Sequence, residues 1–421
     1  GWVISEEKFF PKNNIVKYLK VRGSYGEVGN DQIGGDRFLY LPSSYGAASD
    51  SGVNKYNFGL ASNPYTSLMI VENKIGNPDL TWEKAKKMNV GVDINLFNNC
   101  LTASFDIFKE KRNNILANRS TSPMIIGANL PAYNFGEMEN RGWEMDLNFR
   151  HHIQDFHYWA RFNYSFARNE IIYMDEVQKR YDYQMTTGRR KNQFFGLIFD
   201  GYYNSWEEIN ALDRPKSSWS GNQLQPGDVK YVDVNQDGVI DDYDMVPIGY
   251  TPVPEIIYGF SFGAQYKGFD FSILFQGADN VSIKYFGRSM WPFAKGEESA
   301  KSLIKERWTQ ERYEAGEKIT FPRLSLNPNG ETDHNYRPST LWIRDARYLR
   351  LKNLEVGYTF TGGFVKRLNL NSVRLYFNGS NLFTWTDVVD LDPEAPSRSG
   401  NVEINTYPLQ KVYNIGLNIN F

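Results

Sequence analysis

The last ten residues of the sequence are Val412-Tyr-Asn-Ile415-Gly-Leu417-Asn-Ile419-Asn-Phe421. Every second residue from Tyr413 onward is apolar, and the residues between them are asparagine or glycine. A period of two is typical of a β-strand with one face in an apolar medium and the other in water. The stretch therefore predicts a strand whose apolar face consists of Tyr413, Ile415, Leu417, Ile419 and Phe421.

The same alternation recurs along the rest of the chain. It is found in nine further segments: 19–25, 90–96, 101–107, 143–149, 156–166, 256–264, 269–275, 354–360 and 373–377. The positions between the apolar residues carry side chains that suit water, such as Asp93, Asp106, Glu144 and Arg161. We therefore predict an all-β, antiparallel protein of about ten strands.

The connections between these segments alternate in length. Short turns are expected at 97–100, 151–155, 267–268 and 361–371, and long loops at 28–83, 115–140, 170–254, 280–345 and 384–407. Transmembrane β-barrels have short periplasmic turns and longer extracellular loops. We therefore predict a transmembrane β-barrel in the outer membrane, with its C-terminus in the periplasm. Because an unclosed sheet would expose two edges to lipid, either the barrel is small or further strands precede residue 1.

Composition narrows the class of protein. The 47 basic and 49 acidic residues give a formal charge of -2, which provides no basic excess for binding nucleic acid. The sequence contains no apolar run of about 18 residues, as a membrane helix would need. Aromatic residues make up 15% of the chain, which suits the aromatic girdles of a barrel but also a large soluble β-protein. Cys100 is the only cysteine, so an intramolecular disulfide is excluded.

Residues 233–244 have the spacing of a calcium-binding loop. The predicted ligands are the side chains of Asp233, Asn235, Asp237, Asp241 and Asp244 and the backbone carbonyl of Val239. Gly238 would supply the tight turn between them. We predict a structural Ca²⁺ that stiffens the longest outer loop. The alternative is a turn without an ion, since aspartate and asparagine favour turns by themselves.

No catalytic residue is expected. Gly259-Phe-Ser261-Phe-Gly263 has the spacing of a nucleophile elbow, but that motif requires a turn from a strand into a helix. Ser261 instead lies in the middle of a predicted strand. A hydrolase built into a membrane barrel would need a matched set of Ser, His and Asp, and the four histidines form no such set. We therefore predict that the chain is not an enzyme.

Several stretches, taken together and in this order, carry a family resemblance. They are residues 19–30 (LKVRGSYGEVGN), 77–84 (NPDLTWEK), 136–144 (GEMENRGWE), 195–202 (FGLIFDGY), 226–233 (PGDVKYVD), 347–354 (RYLRLKNL) and 377–383 (FNGSNLF), with the terminal Phe421. In these stretches the chain resembles the SusC/RagA-type TonB-dependent outer-membrane transporters of Bacteroidota.

The resemblance implies a 22-stranded barrel filled by an N-terminal plug. This chain, residues 1–421, would form the C-terminal portion of the barrel, about the last ten strands. The plug, the first strands and the segment that contacts TonB would belong to the missing N-terminal part of the same transporter. The implied partners are a SusD-like lipoprotein, TonB, outer-membrane lipid and an oligosaccharide or peptide ligand. The terminal stripe that ends on Phe421 would act as the barrel assembly signal.

Three tryptophans in the long loops are candidate contact residues: Trp206, Trp219 and Trp291. Their rings could stack on a sugar, dock the lipoprotein or pack the cores of the loops themselves. The leading interpretation is TonB-dependent import of a large nutrient. The alternative is a secreted, calcium-stabilised, β-rich glycan-binding protein, which the loop alternation and the terminal stripe disfavour.

Overall fold

The structure is a computed structural model. It describes residues 1–31, 38–41, 46–47, 55–60, 65–68, 70–71, 76–121, 130–219, 224–286, 290–293, 302–325, 333–389, 391–394, 401–402 and 409–421. No helix within these ranges is long and apolar enough to cross a membrane.

One antiparallel sheet of eleven strands dominates the fold, and each strand pairs with the next along the chain. In chain order the strands are β1 (Trp2–Val3), β2 (Val16–Asn30), β3 (Glu83–Leu96), β4 (Leu101–Ala117), β5 (Tyr133–Ile153), β6 (Phe156–Tyr173), β7 (Ile256–Tyr266), β8 (Phe269–Asp279), β9 (Tyr348–Phe360), β10 (Ser372–Thr386) and β11 (Val412–Asn420). The predicted all-β antiparallel fold is confirmed. The two-residue β1, which is too short to show a period, is the one addition.

The register joins the apolar stripes of neighbouring strands into continuous rows. Val92 lies opposite Phe105, Phe105 opposite Met145, and Met145 opposite Tyr164, which in turn faces Tyr258. A slip by one residue in any pair would move a whole stripe to the other face. The sheet therefore presents a single apolar face, and the described parts of the chain leave side chains on it, such as Phe260 and Ile415, exposed. We call this the outward face.

Several strands extend further than the alternation predicts. β5 spans 21 residues, and its first part lies beside the last part of β4. Ion pairs hold these extensions on the outward face, with Lys109 Nζ 2.9 Å from Glu139 and Lys111 Nζ 2.9 Å from Glu137. Because both faces of these extensions are polar, their residues show no period of two. Hydrophobic alternation therefore marks only the part of a strand that lies against an apolar medium.

The four predicted short connections are all present, but residues 151–153 of the predicted 151–155 turn belong to β5, so that turn consists of Gln154 and Asp155. The β7–β8 turn consists of Lys267 and Gly268, with φ values of 45° and 86°, and this left-handed pair matches the twist of a two-residue hairpin. The β9–β10 connection contains the helix Gly363–Arg367. The long connections leave the opposite end of the sheet, so the predicted sorting of loops by length is confirmed.

Most of the remaining short elements lie in the long connections, and the 3₁₀ turn Ile4–Glu6 lies between β1 and β2. The helices are Trp206–Ile209 and Gln310–Glu314, and the 3₁₀ turns are Ile4–Glu6, Asp182–Gln184, Asp242–Asp244, Ser302–Glu306 and His334–Tyr336. Short strands pair as Gly46–Ala47 with Ile70–Val71, Lys55–Phe58 with Tyr65–Leu68, Phe195–Gly196 with Val246–Pro247, Phe199–Tyr202 with Val229–Tyr231, Lys216–Ser217 with Val239–Ile240, and Ser282–Tyr285 with both Ile343–Asp345 and Asn401–Val402.

Candidate functional site

The long loops between β6 and β7, β8 and β9, and β10 and β11 pack together into one hydrophobic core. We call the described residues of 174–255, 280–347 and 387–411 the loop body. Leu197 and Val229 are fully buried in it, with 0% of their surface exposed. Seventeen buried residues form this core, so the loop body is a folded unit at the long-loop end of the sheet.

Aromatic rings fill the centre of the loop body. Trp291 lies 5.0 Å from Tyr336 between ring centroids, and Tyr336 stacks on Trp342 at 5.4 Å. Phe321 meets Trp342 edge-on at 5.5 Å. Such pairs contribute beyond the area they bury and fix ring orientation. The centre is therefore tightly packed, and it draws on residues far apart in sequence.

A buried aspartate links the backbone of the loop body to its side chains. The Asp228 carboxylate lies 2.6 Å from Nε of Arg323 and accepts a hydrogen bond from Asn335 Nδ2 at 2.8 Å. Asn335 in turn accepts the backbone N–H of Val229 at 2.9 Å. Removing one partner from such a buried group would leave the other charge uncompensated.

His334 lies beside this aspartate network. Its Nε2 is 2.8 Å from the carbonyl oxygen of Val229, and its Nδ1 is 3.0 Å from Oγ of Ser217. These contacts fit a neutral ring that donates from Nε2 and accepts at Nδ1. Burial lowers the pKa of His334 below its usual value. The two contacts and the lowered pKa favour the neutral form of the ring.

A second buried ion cluster ties the last long loop to the sheet. Arg350 on β9 has only 3% of its side chain exposed and bonds Asp392 at 2.7 Å and also Glu394. Tyr348 and Gln276 add hydrogen bonds to the Glu394 carboxylate at 2.8 and 3.1 Å. Burial alone would raise the pKa of Asp392, but its bonds to Arg350 and to backbone N–H groups hold it below its usual value.

The face opposite the outward face, which we call the inward face, carries ionised networks. Arg22 on β2 forms ion pairs with Asp93 on β3, at 3.2 Å, and with Asp106 on β4. A Cβ at Gly91, the residue between them, would collide with Arg22, so glycine makes room for the guanidinium. Arg374 repeats the arrangement on β10. It bonds Asp270 at 3.0 Å and Glu355 at 2.6 Å, and Gly357 lies beneath it.

A cavity of about 330 Å³ lies between the loop body and the inward face at the long-loop end of the sheet. Side chains of β4, β5 and β6 contribute Glu110, Arg112, Asn140 and Asn169, and residues 251–255 contribute the opposite wall. Its charged groups include both signs. The cavity can therefore offer hydrogen-bond donors and acceptors to a polar molecule.

The aspartate-rich loop forms a tight turn through its own hydrogen bonds. Asp233 accepts the N–H groups of Gln236 at 2.7 Å and Gly238 at 2.8 Å. Gly238 has φ of 82°, in the left-handed region that glycine adopts readily. Buried Asp244 accepts the N–H of Val234 at 2.8 Å and that of Asp241 at 2.9 Å. Burial raises the pKa of the Asp244 carboxyl.

The predicted calcium ligands are not gathered as a cluster of carboxylates. Among the described residues, no group of three or more His, Cys, Asp or Glu side chains is placed to hold a metal ion. The Asn235 Oδ1 and Asp237 Oδ1 atoms each accept a backbone N–H two residues ahead, at 3.0 Å. The predicted ligand atoms are oxygens, as Ca²⁺ requires. In this arrangement, however, they accept hydrogen bonds from the backbone of the same turn. Calcium binding remains a prediction.

The three candidate tryptophans lie in different environments. Trp206 is 52% exposed at the start of the helix Trp206–Ile209. Trp219 is partly buried against the core, and the guanidinium of Arg337 lies 4.1 Å from its ring centroid. Trp291 has 3% of its surface exposed and packs the core. Of the three, Trp206 offers the largest free surface to a ligand or partner.

The terminal stripe lies on β11, at one edge of the sheet. Ile415 faces Phe377 of β10, Leu417 faces Leu375 and Ile419 faces Val373, so the stripe continues the apolar rows. All five of its residues are exposed, Ile415 to 80%. The placement suits contact with lipid, and the role of the stripe in assembly remains a prediction.

Reasoning from the residues alone assigned no role to Asp228 or Arg350, the centres of the two buried networks. Both lie in stretches that carry the family resemblance, 226–233 and 347–354. Those stretches were the only sequence indication of their importance. Their partners come from distant parts of the chain and follow no spacing rule.

The chain matches known proteins along its length. The family model described as TonB dependent receptor-like, beta-barrel matches residues 1–382. TonB-dependent receptor P3 of Formosa agariphila is 27% identical, with all of this chain and 41% of that protein aligned. TonB-dependent receptor SusC of Bacteroides thetaiotaomicron is 26% identical, with all of this chain and 39% of that protein aligned.

The fold also matches a solved structure. The RagAB peptide importer in the "open-open" state superposes with a TM-score of 0.71 at 23% identity, covering 100% of this chain and 42% of that one. The chain thus spans about two-fifths of the length of the relatives it matches. The apolar outward face, the sorted loops and the family match agree, and this outer-membrane chain belongs to the TonB-dependent receptor-like β-barrel family.

Proposed function

We propose that this chain forms the C-terminal part of a transporter that imports a large nutrient across the outer membrane, driven by TonB. The observation that carries the proposal is the two-faced sheet, apolar outside and ionised inside, with a folded loop body over one end. Relatives named as SusC and as a RagAB peptide importer support it. The substrate class we infer is an oligosaccharide or a peptide.

Each part of the chain has a place in this mechanism. The outward face contacts lipid, and the inward networks of Arg22 and Arg374 provide a polar lining for a hydrated path or for a plug. The loop body shapes the extracellular mouth, where exposed Trp206 can meet a ligand or a SusD-like lipoprotein. Energy comes from TonB through an N-terminal part of the same transporter.

We propose in addition that the loop 233–244 binds Ca²⁺ through the six predicted oxygen donors and that the ion stiffens the loop body. The buried Asp244 carboxylate supports this, because a nearby cation would offset the cost of ionising it. Asp233, Asn235 and Asp237 already lie in one turn.

We propose that the chain carries out no bond chemistry. Ser261 lies within β7, opposite Arg161 on one side and Leu274 on the other, and not at a turn into a helix. A secreted glycan-binding protein is the less suitable reading, because such a protein would leave the apolar rows of the outward face in water.

The test combines partner capture with uptake in cells. The complete transporter, tagged outside residues 1–421, is extracted in mild detergent, and co-purifying chains are identified by mass spectrometry. Depletion of mixed oligosaccharides and peptides from the medium is followed in wild-type cells and in cells lacking the gene. We expect a co-purifying lipoprotein and gene-dependent uptake that stops when the proton gradient is collapsed. Uptake that persists without the gradient would indicate a passive pore and would overturn the proposal.

A further inference from the structure

A second, smaller cavity on the protein is lined mainly by arginines. Its volume is about 230 Å³, and its guanidinium groups belong to Arg141 on β5, Arg168 on β6, and Arg189 and Arg190 in the loop after β6. Glu170 is the one carboxylate in the lining. We call this cavity the arginine recess.

The arginine recess has more positive than negative charge. Arg141 lies 3.8 Å from Glu170, whereas Arg168 and Arg190 share the single carboxylate of Glu255. Arg189 donates to two backbone carbonyls, those of Met185 at 3.0 Å and Tyr183 at 3.3 Å. Four guanidinium groups are thus matched by two carboxylates, which leaves the cavity suited to an anion.

The sheet register places Arg141 and Arg168 of the recess on the outward face, just above the apolar rows. Phe166 lies opposite Trp143, and two residues further along each strand Arg168 lies opposite Arg141. Arg168 and Phe166 share a face, since the guanidinium carbon is 5.4 Å from the ring centroid. The row of cations therefore begins where the lipid-contacting row ends.

A third cation extends this row on the neighbouring strand. Lys109 of β4 lies directly opposite Arg141, so three positive side chains stand side by side across three strands. Like charges directly opposite on a sheet are destabilising. Carboxylates of neighbouring positions offset part of that repulsion, and an external anion seated in the recess would offset the rest.

We propose that the arginine recess binds a phosphate group of an outer-leaflet glycolipid. Guanidinium groups bind phosphate through paired, charge-assisted hydrogen bonds, and basic pockets at the membrane boundary hold lipid headgroups. The recess sits at headgroup height on the lipid-facing side. The proposal depends on the outer-membrane location. Because the recess shares Asn169 and Arg190 with the larger cavity on the inward face, the experiment also tests whether a soluble anion occupies it.

The experiment compares lipid retention by the complete transporter in nanodiscs. Phosphatidylcholine nanodiscs are doped either with a diphosphorylated glucosamine glycolipid or with its dephosphorylated form, and retained lipid is counted by native mass spectrometry. The test variant is Arg141→Gln combined with Arg189→Gln. The matched control is Arg161→Gln, on the inward face of β6. Heat-modifiable migration checks that every variant assembles.

We expect the wild type and the control to retain the phosphorylated glycolipid about tenfold better than the double variant, as the loss of a charge-assisted hydrogen bond predicts. The dephosphorylated form should be retained poorly by all three. Equal retention by wild type and double variant would overturn the proposal. Displacement of the glycolipid by inorganic phosphate at low millimolar concentration, or preferential binding of a free acidic oligosaccharide, would assign the recess to a soluble anion and would also overturn it.

Discussion

The β-sheet and the loop body solve the problem of burying apolar groups in opposite ways. In the loop body, Leu197, Val229 and Tyr336 are enclosed by other residues of the same chain. In the sheet, Phe260, Ile415 and their neighbours stay exposed after folding is complete. The loop body therefore carries its own core, whereas the outward face depends on lipid to cover it.

The two regions accordingly tolerate charge in different places. The sheet keeps its ion pairs on the inward face and along its extracellular extensions, where they meet water. The loop body instead encloses Asp228, and the junction between loop and sheet encloses Arg350, each fully partnered. A buried charge is tolerated there only because every one of its partners is in place.

Replacing Asp228 with alanine should destabilise the loop body by about 3–5 kcal/mol, because Arg323 and Asn335 lose their buried partner. Hydrogen exchange of residues 195–232, measured on the assembled protein, would report the loss. The matched control, Asp200→Ala, removes an exposed carboxylate from the same loop and should change stability by less than about 0.5 kcal/mol. Equal effects of the two changes would show that the Asp228 network does not hold the loop body together.

Replacing Phe260 with arginine should cost about 2–4 kcal/mol in a bilayer, because the charge would face lipid. Its neighbour Ser261 lies on the inward face of β7 opposite Arg161, so Ser261→Glu, which brings a carboxylate beside that guanidinium, should be nearly neutral. Guanidinium unfolding in lipid vesicles, followed by heat-modifiable migration, separates the two. Similar losses for both variants would contradict the assignment of the two faces.

Calcium should stabilise the loop body without affecting the sheet. At a Ca²⁺ concentration one hundred times the dissociation constant, the expected gain is about 2.7 kcal/mol. The variant Asp233→Ala with Asp237→Ala should lose that gain, and Mg²⁺ should not replace Ca²⁺. Thermal unfolding with and without chelator provides the measurement. A melting temperature that does not change with Ca²⁺ would favour a turn that is held by its own hydrogen bonds and binds no ion.

The smallest expected effect is a pH dependence from His334. Because its folded pKa is lowered, protons bind the unfolded state more readily, so stability is full above the unfolded pKa of about 6.5 and falls as the pH drops below it. The slope of one proton cannot exceed about 1.4 kcal/mol per pH unit. His334→Gln should flatten the dependence of loop-body hydrogen exchange between about pH 5 and 7. If the pH dependence of hydrogen exchange is unchanged in this variant, groups other than His334 cause it.

The same contrast explains how much could be predicted from the sequence. Strands β2 to β11, the short turns and the sorting of the loops were predictable, because a strand between lipid and water must alternate. The charged extensions of β4 and β5 were missed, because both of their faces are polar. The short connections indicate the pairs β3–β4, β5–β6, β7–β8 and β9–β10, whereas pairs joined by long loops, such as β6–β7, follow from no short connection.

The loop body was not predictable in this way. Trp291 could equally have been a ligand contact or a core residue, and only packing against Tyr336 and Trp342 decides between them. Asp228 and Asn335 meet across 107 residues, a distance that no local pattern encodes. The arginine recess likewise depends on strand register, which sets Arg141 beside Arg168.

The central claim is that this sheet separates lipid from a polar interior. Spin labels placed one at a time at positions 256–264 of β7, in a Cys100→Ser background, test it most directly when the complete protein is in lipid vesicles. Oxygen should collide most with labels at 256, 258, 260, 262 and 264, and a water-soluble nickel complex should collide most with those at 257, 259, 261 and 263. Uniform access of the nickel complex to both sets would contradict a membrane-spanning wall.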